Sequence, residues 1–110
     1  MAYKIDSTVF LINYFVSTGK KSSTLKEIYD FESEFERALG YSVYVELDRD
    51  SINNLLYYNR DLFHMGKNTI VFNKKNFEKR NLEDFNSLMT SEAKEKFKDF
   101  FKKVKEKNEI

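Results

Sequence analysis

The chain has 110 residues, enough for one hydrophobic core but not for two. Eleven Phe and seven Tyr bring aromatics to 16%, so large rings supply much of the core volume and a disordered composition is excluded. Nineteen basic against eighteen acidic residues leave a net charge of +1 and no global field, and the absence of Cys excludes disulfides, thiol nucleophiles and Cys-ligated zinc.

From the N-terminus, Asp6 to Thr18 reads as a helix with Asp and Ser at its start and Gly19 just past its end. Val9, Phe10, Ile12, Phe15 and Val16 leave it little polar face, so it is expected to be the most buried helix. After the "GKKSS" turn, Thr24 and Glu27 have capping-box spacing. A helical stripe of Leu25, Ile28, Tyr29, Phe35, Ala38 and Leu39 then runs to Gly40, with an acidic outer face of Asp30, Glu32, Glu34 and Glu36. From Tyr41 to Leu47 apolar and polar residues alternate, the period of a half-buried strand. Asp48 or Asp50 can cap a third helix whose Ile52, Leu55, Leu56 and Asn59 share a face, with Leu62 and Phe63 packing at its end. "HMGKN" supplies a turn, and Thr69 to Asn73 reads as a second strand pairing with the first. A short helix around Leu82, Phe85, Leu88 and Met89 follows. A long one begins at Thr90 or Ser91 with a stripe of Ala93, Phe97, Phe100, Phe101 and Val104, fraying after Lys105.

The apolar runs around Asn13 fall far short of the roughly 20 residues a membrane helix requires. "MAYKID" lacks the layout of a secretory signal, so a cytoplasmic protein away from membranes is expected. The fold class is α+β and predominantly helical, in one domain over residues 1–110. At "VYVELDRDSINNLLYYNRDLFHMGKNTIVFNKK" the layout resembles a winged-helix (helix-turn-helix) DNA-binding domain, in which a helix is followed by a turn and a wing strand returning beside a short strand. The resemblance covers roughly residues 6–75 as helix-helix-strand-helix-strand and leaves 76–110 as a C-terminal helical extension; it departs from the usual pattern in having its best strand immediately before the third helix and a truncated wing hairpin. It implies a non-catalytic regulator, with the third helix in the groove of double-stranded DNA and lysines of the wing on phosphates.

On that third helix, burial of Ile52, Leu55, Leu56 and Asn59 turns Arg49, Asn53, Tyr57 and Arg60 outward. Arg can contact guanine or phosphate, Asn can pair with adenine, and Tyr can reach the backbone. Asp48, Asp50 and Asp61 flank the row and oppose phosphate unless they cap the helix or hold an Arg. Lys67, Lys74, Lys75, Lys79 and Arg80 form a basic stretch with one acid, Glu78, to which Lys20 and Lys21 could add. Lys outnumbers Arg fifteen to four, a bias that an AT-rich coding sequence produces as readily as function does. Residues 1–55 carry six basic and nine acidic side chains (−3), residues 56–110 thirteen and nine (+4), so the molecule is expected to be dipolar.

The second reading is a small adaptor or inhibitor, such as a phage or other mobile-element protein acting on a host protein. It would use the acidic second helix and its tyrosines, with Tyr29, Glu32, Glu36 and Tyr44 as contacts. The Phe stripe of the last helix fits either packing within the chain or a homodimer. His64, alone and in a turn, lacks the company a metal site or catalytic triad requires. Glu32, Glu34 and Glu36, two apart, face different ways and read as a solvated surface. Three isolated glycines form no phosphate-cradling loop. No cofactor and no catalytic residue is expected.

Overall fold

The computed structural model describes residues 3–41, 43–77 and 91–108. In chain order these form β1 (Tyr3–Ile5), α1 (Ser7–Thr18), β2 (Ser22–Thr24), α2 (Leu25–Ala38) and β3 (Val43–Val45). There follow α3 (Arg49–Tyr58), β4 (Phe63–Met65), β5 (Thr69–Phe72), α4 (Lys74–Phe77) and α5 (Ser91–Asn108). The class is α+β with mostly helical residues. The expected short helix around Leu82 to Met89 lies outside the described residues, as do Glu78, Lys79 and Arg80. Among the described residues no helix is long and apolar enough to cross a membrane.

α1 is apolar almost all round, and burial follows: Phe10, Leu11, Ile12, Tyr14 and Phe15 are each at most 2% exposed. Val16, expected inside, is 40% exposed, because its side of the helix is only partly covered. Asp6 caps the first turn by accepting from the Thr8 amide at 2.7 Å, and Gly19 closes the last in the left-handed region (φ 71°). In α2 the Thr24 hydroxyl accepts from the Glu27 amide while Glu27 accepts from the Thr24 amide, so the capping box is complete.

The strands depart from expectation. β3 begins at Val43 rather than Tyr41, since the chain leaves α2 through two left-handed residues, Gly40 (φ 68°) and Tyr41 (φ 60°). It does not pair with β5; it runs parallel to β1, with Tyr3, Lys4 and Ile5 opposite Val43, Tyr44 and Val45. β5 instead lies between β4 and β2, antiparallel to both. The β4–β5 hairpin closes over a tight turn, and β2 takes the other edge of β5, so no edge is left for β3. β1, β2 and β4 each have three residues, too short for an alternating pattern to mark them.

Two groups of rings hold the layers together. Phe10 on α1 meets Phe35 on α2 at 5.2 Å and Phe101 on α5 at 6.2 Å, and Phe35 meets Phe97 at 5.7 Å. Phe15, further along α1, stacks on Phe72 of β5 at 5.3 Å, and Phe72 meets Phe63 and Phe77. The Phe stripe of α5 is thus consumed inside the chain. Phe97 and Phe101 are 3% and 6% exposed and belong to the same core as α1, so α5 is part of the core and not an appended extension. The helix also continues past Lys105 to Asn108, whose side-chain amide donates to the Val104 carbonyl at 2.8 Å.

A chain ending before Ser91 should therefore fail to fold, giving no cooperative thermal transition, whereas a separable extension would leave one. In the full chain Phe35→Ala should lower stability by about 3–5 kcal/mol in denaturant titration.

Candidate nucleic-acid interface

α3 starts at Asp48, whose carboxylate accepts from the Ser51 amide at 2.8 Å. That bonding to Ser51 holds the Asp48 carboxyl below its usual range. Ile52, Leu55 and Asn59 are buried and Leu56 half-buried, as their shared face requires. The Asn59 side-chain amide donates to the Leu55 carbonyl and to the Thr8 hydroxyl, tying the end of α3 to the start of α1. Arg49, Asn53, Tyr57 and Arg60 are all exposed. The first three are four residues apart, so they form a row along the outer face about 12 Å long at 1.5 Å per residue. Arg60 lies just past the helix with its guanidinium 5.3 Å from the Tyr57 ring centre, a cation–π pairing that orients both side chains. Tyr58, 76% exposed, meets Tyr57 edge-on at 5.2 Å.

The hairpin is fastened directly to that helix. The Asn59 carbonyl accepts from the amides of Leu62 and Phe63, turning the chain from α3 into β4. At the hairpin tip the Gly66 amide donates to the Thr69 carbonyl at 2.7 Å, and Asn68 takes a left-handed conformation (φ 59°) that Asn tolerates. The Asn68 carbonyl accepts from the Leu25 amide, anchoring the tip to the start of α2 and presenting Lys67 to solvent. His64 is not in a turn: it is an exposed residue of β4 opposite Val71. Among the described residues no group of three or more His, Asp or Glu is placed to hold a metal ion.

Lys74 and Lys75 are exposed in the first turn of α4, which Asn73 caps by accepting from the Asn76 amide. The Asn76 side chain donates to the Asp61 carbonyl at 2.7 Å, so these lysines are held to the loop that leaves α3. Lys74 also shares a cavity of about 290 Å³ with Lys20, Lys21 and Lys105. Lys105 was missed in the sequence because only the packing of α5 on α1 brings it there.

The alternative surface is changed more. The Tyr29 hydroxyl donates to the Leu47 carbonyl at 2.9 Å, and a Glu36 oxygen accepts from the Val45 amide at 3.1 Å, so both hold β3 and its exit against α2. Tyr44 is exposed on β3. The acidic run is not a uniformly solvated face. Glu32 and Glu36 are four apart and share a side, and burial together with the neighbouring Glu36 carboxylate pushes the Glu32 carboxyl up to about 7. On the far side of α2, Lys20 at 2.7 Å and the Thr24 amide pull the Glu27 carboxyl down to about 2. No family model, no curated protein and no solved structure matches the chain.

Glu32 binds its proton more tightly in the folded chain than the ordinary carboxyl value of 4.5, so its contribution favours folding below 4.5 and is lost as pH rises through about 7. The Glu27 contribution has the opposite sign and is lost only as pH falls from 4.5 toward about 2. Glu32→Gln should therefore raise the thermal midpoint at pH above about 7 and flatten its fall across the neutral range. An unchanged pH profile would show that Glu32 does not titrate in that window.

Proposed function

We propose that the protein is a non-catalytic nucleic-acid-binding regulator of winged-helix type, with α3 in a groove of double-stranded DNA and Lys67, Lys74 and Lys75 on phosphates. One observation carries the reading: Arg49, Asn53 and Tyr57 form an exposed row at four-residue spacing along α3, Arg60 is exposed just past its end, and the hairpin that follows bears an exposed Lys67 at its tip. The order of α3, turn, β4 and a β5 strand returning between β4 and β2 is consistent with a helix followed by a wing. The β1–β3 pair is additional to that layout. Asp48 caps α3 and is held ionised by its bonding to Ser51, so its charge at the start of the row is offset only by the helix N-terminus.

A homodimer would double the footprint; of the α5 stripe, Phe97 and Phe101 are buried within the chain while Phe100 and Val104 stay half-buried and available to one. The adaptor reading retains Tyr44 and the charge of α2 but needs Tyr29 and Glu36 for contacts while both hold β3 in place. Reversing Glu32 and Glu36 would therefore disturb the fold as well as any docking surface.

Arg49→Ala should weaken duplex binding by about 1–3 kcal/mol if Arg49 reads a base, and Arg60→Ala likewise. Lys67→Ala should instead reduce the salt slope by about 1 with little sequence dependence. Electrophoretic mobility or fluorescence anisotropy on duplex across a salt series measures both, and unaltered binding in the double arginine variant would overturn the assignment of α3.

A further inference from the structure

α5 does more than close the core. Lys98, Lys102 and Lys105 stand at helical spacing along its exposed side, over about 10 Å at 1.5 Å per residue. They line a groove of about 260 Å³ against α1, over Val16 and Phe101. At Lys105 this groove meets the 290 Å³ cavity whose rim also carries Lys20, Lys21 and Lys74, above Phe15 and Phe72. Six lysines thus follow one continuous cleft, and no carboxylate lines either part of it. Lys20 is paired with Glu27. Among the described residues the other five make no ion pair.

We infer that this cleft between α1 and α5 is a second nucleic-acid contact, one that takes a sugar–phosphate backbone. The choice of ligand follows from the side chains. Lysine binds phosphate as a point charge and lacks the planar fork with which arginine matches a base edge. The rings beneath it, Phe15 at 1% and Phe72 at 6% exposure, are too buried to stack on bases. What is left is a row of like charges that only a polyanion satisfies, with release of counterions and no sequence preference. Phosphates on one strand of a duplex recur about every 3.4 Å along the axis, so the α5 row alone spans about three of them. Lys74 lies in both this cleft and the site after the hairpin, so one backbone could pass from one to the other.

The inference rests on the nucleic-acid reading above, and the test separates the two. The full-length Lys98→Gln/Lys102→Gln/Lys105→Gln variant is compared with Arg49→Ala/Arg60→Ala and the unaltered chain. Probes are a duplex, a single strand of the same length and unrelated sequence, and vesicles containing anionic phospholipid, each across a salt series. All three lysines are exposed, so an unchanged thermal midpoint is expected to certify the fold. The lysine variant should lose about 2–3 from the salt slope on duplex, near 0.9 per contact, or about 2 on single strand, near 0.7 per contact. Which probe shows the loss tells which backbone the cleft takes. The loss should be the same for unrelated sequences. If the arginine variant still binds while the lysine variant does not, the cleft stands and the α3 assignment falls. An unchanged slope in the lysine variant overturns the cleft and leaves α3 standing. Binding of the unaltered chain to vesicles with no binding to either nucleic acid also overturns it.

Discussion

The rest of the molecule depends on α1 being apolar on opposite sides at once. Phe10 and Phe15 are five residues apart, about 140° around the helix, so one helix can sit between two sets of rings. Phe10 gathers Phe35 and Phe101 and so fixes α2 and α5, while Phe15 stacks on Phe72 and fixes the hairpin and α4. Between them the Tyr14 ring meets Phe31 at 4.7 Å, and its buried hydroxyl hydrogen-bonds with that of Ser23 at 2.7 Å, joining β2 to the same centre. Each buried Phe is worth roughly 1.5–3 kcal/mol of transfer free energy, and the ring edges add geometric preference.

That arrangement also positions the surface. The outward row of α3 is fixed from beneath by Asn59, which reaches the Thr8 hydroxyl on α1, and the hairpin is fixed at both ends by backbone hydrogen bonds to Asn59 and Leu25. Side chains mounted on elements held in this way keep a fixed spacing along the surface. Charge is distributed by the same packing. Lysines from both sequence halves meet at one place, Lys20 and Lys21 from the first sharing a cavity with Lys74 and Lys105 from the second.

Parts of the fold and the site could be read directly from the residues. Caps at Asp6, Thr24 and Asp48 marked three helix starts because capping is local: a side chain accepts from an amide two or three residues on. The exposed row of Arg49, Asn53, Tyr57 and Arg60 was legible for the same reason, since helical periodicity assigns faces without knowledge of what covers them. The hydrogen bonds of Glu36 and Tyr29 were not legible because their partners, the Val45 amide and the Leu47 carbonyl, belong to a segment that only the fold brings beside α2.

By itself the sequence determined where α1, α2 and α3 begin, which of their faces are apolar and that large rings would fill the core, all consequences of local geometry and hydrophobic patterning. Tertiary structure alone decided which strands pair, because registers of three or four residues hold too little pattern to choose a partner. It also decided that the α5 stripe turns inward and that its lysines join Lys20 and Lys21 just after α1 and Lys74 of α4, since a stripe that can satisfy its hydrophobic face within the chain leaves only its charged side to solvent.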